Sequence, residues 1–310
     1  MSYRRVTKVL KAADGTSIAY HTHMGDSGSE ANLAGRPVVV LSNGIGTTEN
    51  FWRHIVRDLE RDHLVVHWDY RGHGQSGLGN SSDYRMPVLA DDLHRITCEA
   101  MKLSGGAAPV HVGFSMGVTV LTELYRQHPE QVGAMAFIAG APDAPGTGTG
   151  PFRIPGMFPA VRRAMAAAEP VLPMVAPALR ALLGSRVAFP AARALGLVQE
   201  GAPREDIEEF FAGMRAMDAT VAWRMARCLM EAHGSDVLPR VSVPVLIVAA
   251  ARDAMMPQEQ LDRMRAALPR ARYVSVPKAG HAGLVEEGPG FVRPLRDWLD
   301  ELARGGAVGK

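Results

Sequence analysis

Two apolar periodicities alternate along most of this chain. Residues 3–24 alternate apolar and polar positions around Asp14-Gly15 (Val6 and Leu10, then Ile18 and Tyr20), which predicts an antiparallel hairpin. Residues 37–41 read Pro-Val-Val-Val-Leu instead, a continuous apolar run that marks a strand buried on both faces. Helical spacing follows over 48–61 (Phe51, Ile55, Leu59), then a strand over 63–68 and a helix over 87–103 with Leu89, Leu93, Ile96 and Ala100 on one stripe. A strand at 109–113, a helix at 116–128 and a strand at 132–139 continue the series. Strands that alternate with helices in this way predict a mostly parallel sheet covered on both faces.

The alternation stops near Pro142. Residues 142–234 hold many prolines and strings of alanine and arginine, with no strand pattern, and 204–232 reads as one or two amphipathic helices. Strand and helix then resume at 244–249, 258–268, 272–276 and 290–303. The expected organisation is an α/β core made of residues 1–141 and 235–310, interrupted by a helical cap at 142–234.

Composition narrows the function classes. A net charge of +2 with no basic stripe or acidic tail gives no reason to expect nucleic acid or electrostatic docking on a membrane. No apolar stretch follows Arg4 and Arg5, and no run of 18 apolar residues free of charge and proline occurs, so neither a secretory signal nor a transmembrane segment is expected. Cys98 and Cys228 read as two reduced thiols. These features together suggest a cytoplasmic address. No His/Asp/Glu cluster has metal-ligand spacing and no phosphate-binding loop is present, so no metal or cofactor is expected.

The chemistry begins at Gly113-Phe114-Ser115-Met116-Gly117, which ends one buried strand and opens a helix. A G-x-S-x-G turn in that setting is a nucleophile elbow, so tight that side chains at the glycine positions would collide. A serine hydroxyl attacks only when a base takes its proton. His281 lies in a loop just beyond the last strand and is the best base; His111 sits inside a strand and His73 in a turn. Asp253 directly follows an apolar strand and can orient the imidazole, although an Asp there also suits a helix N-cap. Asp143, after the preceding strand, is the rival acid. Acyl transfer also needs two N–H donors for the developing oxyanion. The expected pair is the backbone of Met116 and of Ile45, the latter between Gly44 and Gly46.

Residues 42–47 (Ser-Asn-Gly-Ile-Gly-Thr), residues 69–76 (Asp-Tyr-Arg-Gly-His-Gly-Gln-Ser), the elbow, Asp253 and Gly280-His281 resemble the α/β-hydrolase superfamily in order and spacing. The resemblance implies a Ser115–His281–Asp253 triad, an Ile45/Met116 oxyanion hole, an eight-stranded sheet, and structural roles for Asp69, Arg71 and His73. Asn43, Trp52 and the 69–76 motif are similar to the 3-oxoadipate enol-lactonase branch, and 114–117 to cofactor-free haloperoxidases and perhydrolases. Val118 departs from this pattern, where a second glycine is common, and the cap is longer than in those lactonases. The implied activity is hydrolysis of a small, apolar ester or lactone through an acyl-enzyme on Ser115. Cleavage of a carbon–carbon bond in a β-diketone-like substrate, or a small-molecule receptor that retains the triad, are the alternatives. Phe114, Met157 and Phe158 are the expected substrate contacts. The apolar cap residues Phe152, Ile154, Met157, Phe158, Val161, Met165, Leu172, Met174 and Val175 could together line an acyl or alcohol pocket, while for any single one of them packing of the cap on itself is the more ordinary reading.

Overall fold

A computed structural model describes residues 3–25, 36–144, 157–194, 198–199 and 201–305. Eight strands form one sheet: β1 (Tyr3–Lys11), β2 (Ser17–Gly25), β3 (Val39–Ser42), β4 (Val65–Trp68), β5 (Val110–Phe114), β6 (Ala134–Ile138), β7 (Val245–Ala250) and β8 (Arg272–Val276). Their order is β1-β2-β4-β3-β5-β6-β7-β8. The β1–β2 hairpin pairs antiparallel from Tyr3↔Gly25 to Lys11↔Ser17, and β2 pairs antiparallel with β4. All other neighbours are parallel.

The continuously apolar runs are indeed buried on both faces. Every residue of β3, β5, β6 and β7 is buried. Successive residues serve opposite layers: Val40 joins the layer of Leu89, Leu93 and Leu121, whereas Val39 and Leu41 join that of Phe51, Ile55 and Phe291. The covering helices are α1 (Glu49–Leu59), α2 (Met86–Leu103) and α3 (Met116–Gln127), with a long C-terminal helix at Gly288–Gly305. Each fully buried large aliphatic or aromatic side chain contributes about 1.5–3 kcal/mol through removal from water.

Sheet order fixes where chemistry can occur. The chain leaves β3 for β4 on one side and returns to β5 on the other, so a crevice opens at the carboxyl ends of β3 and β5. Ligands of open α/β sheets bind at such a switch point. The buried Arg71, just after β4, stitches the hairpin to this region. Its Nε and Nη2 donate to the two carboxylate oxygens of Asp92 at 2.8 Å each, and Nη1 donates to Asp14 at 3.0 Å.

Between β6 and β7 the described residues form helices and no strand: Met157–Ala168, Leu172–Leu183, Ala188–Ala194, Arg204–Ala216 and Ala219–Leu229. Asp143 joins the two ends of this segment, accepting from the backbone N–H of Gly234 and Ser235 at 2.9 Å each and from the Ser235 hydroxyl. The stretch Arg163–Leu183 has a mean hydropathy of 1.3 and only 11% burial over its most apolar window, enough to cross a membrane by length and composition. The expectation of no spanning segment rests on the charges and prolines within it; Glu169, for example, accepts from Arg224 at 2.7 Å.

Arg71→Met should leave Asp92 as a buried charge without its partner, and we expect a loss of about 3–5 kcal/mol in urea unfolding. The double variant Arg71→Met/Asp92→Leu should recover much of that loss. Equal stability of the single variant and wild type would show that the pair contributes nothing.

Candidate active site

Strand β5 delivers Ser115 to the crevice at a strained turn. Ser115 has φ +53° and ψ −119°, and α3 begins at the next residue. Backbone packing makes the neighbouring glycines obligatory. A Cβ at Gly117 would stand 2.3 Å from the Ser42 carbonyl oxygen, and one at Gly113 would stand 2.6 Å from that of Gly117. A Cβ at Gly140 would meet the Ser115 carbonyl oxygen at 2.4 Å. The Ser115 N–H is anchored to the Ile138 carbonyl at 3.0 Å.

The residues expected to act on Ser115 converge on it. Ser115 Oγ lies 3.0 Å from His281 Nε2, and His281 Nδ1 lies 2.9 Å from Asp253 Oδ2. An ionised carboxylate only accepts, so His281 carries its proton on Nδ1 and turns a bare Nε2 toward the serine hydroxyl. The Asp253 side chain is fully buried, and its other oxygen accepts from the N–H groups of Met255 at 2.8 Å and Met256 at 3.1 Å. The carboxylate thus caps the turn that follows it and holds the His281 imidazole at the same time. Asp143, the rival, lines the same cavity, but among the described hydrogen bonds its carboxylate accepts from Gly234 and Ser235 and not from His281.

One further residue holds the histidine loop and had no signal in the sequence. Glu286, on a single helical turn at Gly283–Glu286, accepts from Gly280 N–H at 2.7 Å and from Gln199 N–H at 2.9 Å. Burial pushes its carboxyl above the usual carboxylate range. It ties the loop before His281 to the helical segment.

The loop after β3 approaches the elbow closely: a Cβ at Gly44 would lie 3.1 Å from Ser115 Cβ. Gly46 has φ +72° and donates its N–H to His73 Nε2 at 3.0 Å. Burial pushes His73 down to about 4, so at neutral pH it is an uncharged acceptor. Asn43 faces inward, accepting from Trp52 Nε1 at 2.7 Å and donating to the Trp68 carbonyl at 3.1 Å. The Asn43/Trp52 pair that carried the finer resemblance is thus a buried strut.

A cavity of about 40 Å³ adjoins Ser115 and His281. Met116, Thr119, Leu229, Met256 and Gln260 are among its walls. The expected substrate contacts stand as follows relative to this cavity. Phe114 does not line this cavity; its ring packs against Phe51, Trp52 and the His281 imidazole, with centroids 5.6, 6.3 and 5.5 Å away. Leu172 is buried away from it, while Val161, Met174 and Val175 are exposed. Among the described residues, Leu229 is an apolar residue of the helical segment that lines it. The side chains of Met157 and Phe158, and residues 152 and 154 altogether, lie outside the described residues. The helical segment nonetheless covers the crevice: Met214 sulfur sits over Gly46, and Val221 packs on Gly72.

The α/β-hydrolase fold family matches residues 37–184 and 203–288, and the chain belongs to that family. Its members include hydrolases and esterases. Among curated proteins, "Putative carbamate hydrolase RutD" of Klebsiella pneumoniae is 25% identical over 273 residues, covering 86% of this chain and 93% of that one. The enol-lactonase of Burkholderia xenovorans LB400 superposes with a TM-score of 0.70 at 20% identity, covering 94% of this chain and all of that one. An esterase from Exiguobacterium antarcticum gives a TM-score of 0.73 at 18% identity, covering 94% and 99%. The two solved structures establish likeness of fold.

Proposed function

We propose that the chain is a serine hydrolase of short-acyl carboxylic esters, with Ser115 as nucleophile, His281 as general base and Asp253 as its orienting acid. One observation carries the reading: the unbroken relay from the strained serine through both imidazole nitrogens to a fully buried carboxylate. Ser115 Oγ bonds to the ester carbonyl carbon while its proton passes to His281 Nε2. The oxygen that becomes negative accepts from the backbone N–H groups of Met116 and Ile45. Collapse of this intermediate expels the alkoxide, which takes the proton from His281 and leaves an acyl-enzyme. Water then repeats the sequence and frees the acid. Residues 142–234 act as the cap that keeps bulk water from the developing charge.

The size of the cavity supports short acyl groups. At roughly 10–15 Å³ per water this half-open space takes about three waters, room that an acetyl group would fill. A second reading rests on Gln260. Its Nε2 donates to the carbonyls of Asp143 and Ala144, which fixes Oε1 as an acceptor, and that oxygen is buried without a partner. A carbamate, whose nitrogen carries N–H, would satisfy it, in keeping with the name borne by the RutD relatives.

Two experiments test these assignments. Asp253→Asn should lower kcat on an activated ester by a factor on the order of 10⁴, because an amide there favours the wrong tautomer. Asp143→Asn, which keeps an acceptor for Gly234 and Ser235, should leave kcat near wild type; the opposite ranking would move the acid to Asp143. In a p-nitrophenyl ester series, kcat/KM should fall by about tenfold or more between acetate and hexanoate, since overfilling a packed pocket costs about 1–3 kcal/mol. Activity that rises with chain length would place the acyl group elsewhere.

A further inference from the structure

A cluster of buried polar groups that hydrolysis leaves unused lies on the neighbouring strands β2 and β4. On the paired strands β2 and β4, His21 stands directly opposite His67, and their rings stack at 5.7 Å with 17° between planes. Asp69, two residues beyond His67, places its Oδ2 3.2 Å from His21 Nε2. All three residues are buried, and one ligand atom from each lies within 4.8 Å of the others. A cavity of about 590 Å³ reaches His21 and Asp69 from outside, with His23 and Glu49 also in its wall. It shares no lining residue with the cavity beside Ser115.

Hydrogen bonding fixes what these imidazoles offer. Asn43 turns its amide nitrogen to the Trp68 carbonyl, so its Oδ1 is an acceptor; His67 Nε2, 3.1 Å away, must therefore carry the proton. That leaves His67 Nδ1 a bare lone pair, and this atom is buried without a hydrogen-bond partner. His21 Nε2 faces the Asp69 carboxylate, which only accepts, so without an ion it carries the proton and Nδ1, 3.0 Å from Thr7 Oγ1, accepts from that hydroxyl. A metal on Nε2 would require the proton on Nδ1 instead, with the Thr7 oxygen as its acceptor. Metal-binding histidines commonly hold the second nitrogen on an outer acceptor in this manner. The 3.2 Å between His21 Nε2 and Asp69 Oδ2 also matches the edge of about 3.3 Å between two ligands held 2.0–2.1 Å from a tetrahedral ion. Nearby His23 has neither ring nitrogen bonded, and its Nε2 lies 3.7 Å from Glu49 Oε1.

We propose that His21, His67 and Asp69 bind one divalent transition-metal ion of the zinc type, with His23 or a water as the fourth ligand. Two imidazoles and one carboxylate suit zinc and cobalt better than magnesium or calcium, which prefer oxygen. The ion would clamp β2 to β4 and to the turn at residues 69–76. Its role is structural, because its access route is separate from that of Ser115.

Titration of the full-length, EDTA-washed protein with ZnCl₂, read by calorimetry, should give one site per chain and a higher Tm in zinc than in EDTA. CoCl₂ should give the visible absorption of a tetrahedral site. His67→Gln should weaken binding at least 100-fold, and Thr7→Val, which removes only the outer partner of His21, by about 10–100-fold. Thr7→Val also keeps the test decisive should His67→Gln fail to fold. Ester hydrolysis by the wild type should be the same in EDTA as in zinc. Absence of saturable zinc binding by the folded wild type would overturn the site, as would affinity unchanged in Thr7→Val; in either case His21 and Asp69 form only a hydrogen-bonded pair.

Discussion

The close approach of backbone at the serine turn sets the terms for the rest of the molecule. Ser115 holds φ +53° in the left-handed region, a conformation that costs a residue other than glycine about 1–3 kcal/mol. It persists because main chain presses on it from several directions. Gly117 lies against the end of β3, Gly113 against the first turn of α3, and Gly140 against Ser115 itself. None of these contacts survives the addition of a Cβ without a shift. The turn is therefore over-determined by packing, and the hydroxyl it presents lies 3.0 Å from His281 Nε2.

Everything that could act on that hydroxyl arrives from strand ends of the same sheet. The loop after β3 brings Gly44 to within contact of Ser115, the loop after β7 brings Asp253, and the loop after β8 brings His281. Supporting contacts hold each loop in place. His73 fixes Gly46, the N–H groups of Met255 and Met256 fix Asp253, and Glu286 fixes the backbone before His281. The helical segment contributes Leu229 to the cavity and rests Met214 and Val221 on the loops beneath. The sheet thus supplies position, and the helical layer supplies enclosure.

Much of this was legible in the sequence, for physical reasons. A strand buried on both faces is mostly apolar along its length, so β3, β6 and β7 stood out as apolar runs, and β5 did so despite the buried His111 within it. The elbow serine, His281 and Asp253, which the structure brings within hydrogen-bond distance of one another, could be picked out because their proposed chemistry demands particular residues at particular strand ends. The cap residues were not legible. Met174 and Val175 are as apolar as Leu172 and sit on the same helix, yet they face outward. Periodicity cannot say which side of an all-apolar helix finds a partner. Glu286 gave no signal because its role comes from where the chain returns, five residues after the histidine. The same holds for His21, His67 and Asp69, which meet only through the β2–β4 register.

The central claim is that Ser115 is a nucleophile activated by His281, and covalent labelling tests it most directly. Treatment of the folded protein with a fluorophosphonate, followed by intact-mass measurement and peptide mapping, should show one adduct per chain on Ser115. Ser115→Ala should show none, and labelling of His281→Ala should be slowed by orders of magnitude. A folded wild type that stays unmodified, or an adduct on any other residue, would contradict the account.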